Sequence, residues 1–238
     1  MMMQKLKALF LAAATVAAIV AIPAFLSSRV SAGDLNKPIP APLSDPANRA
    51  ATETVVLAGG CFWGQQAVFE HVKGVTRVVA GYSGGTKQTA NYEDVAHQRS
   101  DHAEAVEITF DPKQVSFGQL LQVYFSVAHD PTQLNRQGPD RGASYRSEIF
   151  AATPAQLATA KAYIAQLEAA RIFPARIVTK ISALKGFYWA ETEHQDYLVK
   201  NPNSSYIRTH DLPKLAALKQ VWPQFWRENP VLLVQTRH

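Results

Sequence analysis

The chain has 238 residues, 47% hydrophobic and 18% charged, which suffices for one packed domain with extensions and is too apolar for a disordered chain. Its 24 basic residues against 19 acidic give a formal +5, but Lys5, Lys7 and Arg29 fall in the first 32 residues, which hold no acid. The remainder is close to neutral and lacks a basic run interleaved with aromatics, which speaks against a nucleic-acid-binding role.

Residues 1–32 read as a signal peptide or membrane anchor. Lys5 and Lys7 precede an uncharged apolar stretch over residues 8–26, and the small residues Ser31 and Ala32 follow, the pattern of a cleaved export signal. Uncut, the stretch is long enough to anchor, though Pro23 disfavours a regular span. Either way the chain is expected to work outside the cytoplasm, in the periplasm or an equivalent compartment. Residues 33–53 carry Pro38, Pro40, Pro42 and Pro46 and are expected to form a semi-extended linker. One domain is expected over 54–223, then a tail over 224–238.

Within the domain, Val55-Val56-Leu57-Ala58 is a continuous apolar run, as expected of a strand buried on both faces. Gly59-Gly60 ends it, and a helix follows with Val68, Phe69 and Val72 on one side. Residues 75–80 form a second strand, closed by Tyr82-Ser83-Gly84-Gly85. Residues 102–110 alternate, with Val106, Ile108 and Phe110 on one face. Phe117, Leu120, Leu121, Tyr124, Phe125 and Ala128 then recur at helical spacing behind a Ser116 cap. A strand is expected over 145–152. Thr153-Pro154-Ala155-Gln156 has capping-box form ahead of a helix with Leu157, Ile164 and Leu167. A last strand is expected over 176–184. This order predicts an α+β fold, a two-layer mixed sheet with helices packed on it and a ferredoxin-like β-α-β-β-α-β core.

The single cysteine, Cys61, excludes an intrachain disulfide. A leftover thiol in an exported protein is either reactive or an inert core residue. Its placement favours reactivity. The two glycines let the backbone turn sharply, and the helix amino terminus is expected to hold a thiolate and lower the thiol pKa.

Gly59-Gly60-Cys61-Phe62-Trp63-Gly64 resembles the signature of peptide methionine sulfoxide reductases of the A type. Gly81-Tyr82-Ser83-Gly84-Gly85, Tyr92-Glu93-Asp94-Val95, His102-Ala103-Glu104-Ala105-Val106, His129-Asp130-Pro131-Thr132-Gln133, Arg136-Gln137-Gly138, Asp140 and Tyr145-Arg146-Ser147 match in order, over about residues 54–220. The resemblance implies Cys61 as the nucleophile on the sulfoxide sulfur and Glu104 as the proton donor. It implies Tyr92 and Tyr145 as donors to the sulfoxide oxygen, Phe62 and Trp63 as an apolar wall for the terminal methyl, and Asp140 as an organiser of water or of the tyrosines. It further implies action on the S epimer, a sulfenic acid on Cys61, and a monomer with no metal and no cofactor beyond a thiol reductant. Strand parity supports Glu104 independently: it shares the face of Val106, Ile108 and Phe110, where desolvation would keep it protonated; the rival reading is a glutamate at a frayed strand start that reaches water. Taken alone, Phe62 and Trp63 suit core packing and Asp140 an ordinary turn.

The sequence departs from the family pattern at one decisive place. Many relatives carry a resolving cysteine directly after a tyrosine near the C-terminus, whereas here Ile207 follows Tyr206. An external thiol, thioredoxin-like or small, must therefore recycle Cys61. Ser144 and Pro139 also replace the more usual glutamine and asparagine. Two rivals stand: a cysteine hydrolase using His129 or His194 as base, and a non-catalytic module gripping methionine side chains with Trp63. One cysteine and no His-x-x-x-His pair speak against a structural zinc site.

Overall fold

The computed structural model describes residues 37–48 and 50–233, so the expected signal or anchor segment lies outside the described residues. Among the described residues, no helix is long and apolar enough to cross a membrane.

The elements run β1 (Glu53–Gly59), α1 (Phe62–Glu70), β2 (Val75–Ser83), α2 (Tyr92–Ala96), β3 (Ala103–Phe110) and α3 (Phe117–Val123). α3 widens into a π-helical turn over Tyr124–Ala128, where one continuous α-helix was expected. A short hairpin, β4 (Arg136–Gln137) and β5 (Asp140–Arg141), precedes β6 (Ser147–Ala151) and α4 (Pro154–Ala169). β7 (Lys180–Ala183), β8 (Phe187–Trp189), α5 (Tyr197–Lys200) and α6 (Leu212–Val221) complete the chain. β7 is shorter than the strand expected over 176–184, and β8, α2, α5 and α6 carry too little periodicity to be anticipated.

Six strands form a mixed sheet in the order β7-β6-β1-β3-β2-β8. β6 and β7 are parallel and every other neighbouring pair is antiparallel. Side chains alternate across a strand, so β1 divides its apolar run between two clusters. Val55 and Leu57 join the main core with Val106, Ile108 and Phe110 of β3 and Phe69, Leu120 and Leu121 of the helices. Val56 and Ala58 face a smaller cluster with Ala103, Ala105 and Phe150.

Local chemistry fixes the helix starts. Ser116 and Gln119 form a reciprocal capping box, the Gln119 amide donating to Ser116 Oγ at 3.1 Å and the Ser116 amide to Gln119 Oε1 at 2.9 Å. The second expected box is only half formed. Thr153 Oγ1 accepts from the Gln156 amide, but the Gln156 side chain accepts from Ala152 N–H and donates to Thr54 O and Glu53 in β1. Gln156 thus ties α4 to the sheet.

The proline-rich segment is extended and bound along part of its length. Ile39 is buried in the main core, and its carbonyl accepts from Gln122 at 3.1 Å. Tyr163 Oη donates to Pro40 O at 2.7 Å, and Asp45 accepts from Ser116 and from the Gly118 amide. At the other end Trp222 is buried and donates to Ser126 Oγ at 2.7 Å, while Trp226 stacks on His71 at 4.4 Å. The C-terminal aromatics pack on the domain.

Candidate active site

Cys61 sits where β1 hands over to α1, at the N-cap position, without using its side chain as a cap. Gly60 makes the turn with φ +94°, and a Cβ there would lie 2.5 Å from Gln137 Cγ, so only glycine fits. The strand end is pinned from below. Gln65 Nε2 donates to Gly59 O at 2.8 Å and Ala128 O at 2.9 Å, and Tyr124 Oη donates to Ala58 O at 2.6 Å.

The thiol is 8% exposed and opens on a cleft of about 240 Å³, which His129, Asp140, Tyr206, His210 and Lys214 also line. The expectation that the helix terminus holds it ionised is corrected here. Burial pushes the Cys61 thiol well above its usual range, and the negative charges of Glu104 and Asp211 push the same way. The Trp63 amide and Lys214 favour the thiolate but are outweighed. A helix end is a partial charge, and desolvation of a full charge exceeds it. The resting group is a thiol.

Glu104 lies on β3 with its side chain in the main core, 2% exposed, as strand parity requires. Its Oε2 accepts from the Phe62 amide at 3.0 Å, which places the carboxyl beside the first turn of α1, next to Cys61. Burial drives its pKa up to about 8; the Phe62 amide opposes and the Asp140 charge reinforces the rise. At neutral pH the carboxyl is a buried acid.

Three residues from short elements converge on this pair. Tyr92 begins α2, which Asn91 caps by accepting from the Asp94 amide at 3.0 Å. Tyr145 ends the turn Ala143–Tyr145, held by Arg146, which donates to Ala143 O, Asp101 O and Glu148. Both phenols are raised by burial and then by the charge of Glu104, with Cys61 contributing to each. They are hydroxyl donors at any working pH. Asp140, on β5, accepts from Tyr206 Oη at 2.5 Å.

The two aromatics after the cysteine part company. Phe62 is fully enclosed, its ring 5.8 Å from Tyr82 and 5.4 Å from His194. Trp63 keeps some exposed surface, stacked on Tyr197 at 3.7 Å, edge-on to Tyr206 at 5.9 Å and donating to His194 Nδ1 at 3.2 Å. The histidines are otherwise engaged. His129 Nδ1 donates to Tyr124 O at 2.9 Å, and burial lowers its pKa to about 4. Burial lowers His194 as well, and it faces the Tyr92 ring at 4.2 Å. Neither forms the cysteine–histidine pair that a hydrolase needs.

A family model, peptide methionine sulfoxide reductase, matches residues 53–226. The chain belongs to the peptide methionine sulfoxide reductase family. It is 57% identical over 183 residues to peptide methionine sulfoxide reductase MsrA 2 of Mesorhizobium japonicum, covering 77% of this chain and 94% of that one. The Synechocystis protein of the same name is 51% identical over 205 residues, covering 84% and 94%. Among solved structures, methionine sulfoxide reductase A of Corynebacterium diphtheriae is 37% identical with a TM-score of 0.58, covering 71% of this chain and 85% of that one.

The reductase's site also holds a residue that no sequence pattern singles out. Glu191 Oε2 accepts from Tyr82 Oη at 2.7 Å, and its Oε1 accepts from the Tyr92 amide at 2.9 Å. Burial alone would raise this carboxyl, yet those two donors hold it below its usual range. Glu191 is therefore an ionised clamp across two tyrosines. It lies in an aperiodic loop, where spacing carries no signal.

Proposed function

We propose that this enzyme reduces the S epimer of methionine sulfoxide, in proteins or free, to methionine at Cys61, and so repairs oxidised proteins. The observation that carries the reading is the buried, protonated carboxyl of Glu104, bonded to the amide of the residue after the chain's one cysteine.

A sulfoxide sulfur becomes electrophilic when its oxygen is hydrogen-bonded and protonated. Tyr92 and Tyr145 donate to that oxygen, and Glu104 delivers the proton. Trp63 offers the apolar surface for the terminal methyl, with Phe62 enclosed behind it, and Asp140 with Tyr206 orders the rim. Cys61 Sγ attacks the sulfoxide sulfur. As methionine departs, the oxygen passes to Sγ and the thiol proton returns to the Glu104 carboxylate. Thiol and sulfoxide become sulfenic acid and methionine, with no net proton change. Because the thiol rests un-ionised, its deprotonation is coupled to the proton that Glu104 gives up on meeting substrate.

No second cysteine exists in the chain. A thiolate from outside therefore attacks the sulfenic sulfur, water leaves, and a second thiol releases Cys61 from the mixed disulfide. A thioredoxin-like protein or a small thiol fills this role. The basic start and apolar stretch of residues 1–32 support export to the periplasm or an equivalent compartment. The order β6-β1-β3-β2 with antiparallel pairing supports a ferredoxin-like plait as the core.

The test is to incubate the purified enzyme with S-sulfoxide and dithiothreitol. Methionine should form with about two thiols consumed per sulfoxide, and Cys61→Ser should abolish it. Turnover by the serine variant, or product without thiol loss, refutes the reading.

A further inference from the structure

A buried ion pair stands against the helix that carries Cys61, and the mechanism above does not use it. Asp211 closes the turn Ile207–Asp211 ahead of α6 and has no exposed surface. Its Oδ1 accepts from Lys214 Nζ at 3.1 Å, and Lys214 in turn lines the cleft onto which Cys61 opens. Its Oδ2 is buried without a hydrogen-bond partner among the described residues. Both charged ends fill the space over Gly64, in the first turn of α1. A Cβ at Gly64 would lie 2.0 Å from Asp211 Oδ1 and 2.9 Å from Lys214 Nζ. Gly64 is three residues from Cys61, which places it on the same side of the helix.

A thiolate at Cys61 and a carboxylate at Asp211 would compete for the same positive helix end. We propose that Asp211 and Lys214 are opposed positioning residues for the Cys61 nucleophile: Asp211 keeps the sulfur protonated at rest, and Lys214 limits that effect so the anion remains reachable. The proposal rests on Cys61 being the nucleophile. Other groups also face the sulfur: Glu104 from β3, Tyr92 from α2, Asp140 from β5, Tyr145 from the turn before β6, and Tyr206 from the turn before α6. His129 and His210 line the cleft. The tyrosines stay neutral, and Glu104 is neutral below about pH 8. Asp211 differs from them as a carboxyl held beside a cation: burial raises it above the usual carboxylate range, and Lys214 opposes that rise only in part.

The test reads ionisation rather than turnover, so it separates this proposal from the assignment of the reaction, which Cys61→Ser decides. Cys61 is the chain's one thiol, and its alkylation by neutral iodoacetamide is followed in the folded protein from about pH 6 to 10. On the rising limb that this window covers, Asp211→Asn should displace the rate-against-pH line to lower pH by about one unit and Lys214→Met to higher pH by a similar amount. At any one pH on that limb the former should alkylate about tenfold faster than the parent and the latter about tenfold slower. Lys214→Arg, which keeps the charge, should retain the parent profile. A purely structural pair would move both variants the same way or neither, and either result overturns the proposal. If Lys214→Met fails to fold because it strands a buried carboxylate, the double variant D211N/K214M strands none. It must then alkylate more slowly than D211N alone at the same pH; an equal or faster rate refutes the proposal.

Discussion

Replacing Glu104 by glutamine should change how stability responds to pH, with a sign and slope that follow from burial. In the folded protein the carboxyl pKa rises from its usual 4.5 to about 8. The folded state therefore keeps a proton that the unfolded chain releases once the pH passes its ordinary carboxyl range. This contribution is complete below that range and is lost as the pH rises toward 8. Stability should fall across the window by about 1.4 kcal/mol per pH unit, to an upper limit of about 5 kcal/mol. Relaxation and water entry will reduce the total more than the slope. Glu104→Gln keeps the shape and cannot ionise, so its curve should lack this decline. Urea unfolding of both proteins at several pH values between about 5 and 8 measures it, and titrations common to both cancel in the difference. The same variant should lose about a hundredfold in kcat/KM, the range for a missing general acid. The parent rate should fall as the pH passes 8. Parallel stability curves for the two proteins would show that Glu104 is not held neutral, and the acid assignment would fail with it.

Tyr206→Phe removes the donor to Asp140 and should lower kcat/KM about tenfold, the equivalent of one hydrogen bond to a charged group; steady-state kinetics check it. Trp222→Ala empties a buried site and frees Ser126, so chemical denaturation should show a loss of about 3–5 kcal/mol. His129 has a folded pKa depressed to about 4, so its contribution is full above the ordinary histidine pKa and is lost as the pH falls through 4. His129→Gln should flatten that acid-side decline, by about 3 kcal/mol at most, in acid-denaturation curves.

The strands of the sheet centre were legible because burial on two faces writes continuous or alternating apolar runs, as at Val55-Val56-Leu57-Ala58 and in Ala103–Phe110. Glu104 could be placed on the core side for the same reason: parity is a local property. The ionisation of Cys61 could not be read that way. A helix terminus is visible in sequence, but burial beneath the cleft walls and the charge of Asp211 come from segments far along the chain. Glu191 and Asp211 were hidden for a related reason. Both act from loops or turns that reach the site through tertiary folding, and a loop carboxylate looks the same whether it faces water or a tyrosine. The half-formed box at Thr153 shows the converse, a local pattern overridden when β1 offers Gln156 better partners.

The stretch ahead of β1 acts as a strap laid over two helices, and it ties the integrity of the domain to residues that perform no chemistry. A chain begun at β1 would open the socket of Ile39 to water and leave the Gln122 amide and Tyr163 hydroxyl without the carbonyls they now serve. A protease clipping near Asp45 would loosen the helix pair at its edge and leave Cys61 untouched. Where this enzyme's fold starts is therefore earlier than where its chemistry starts.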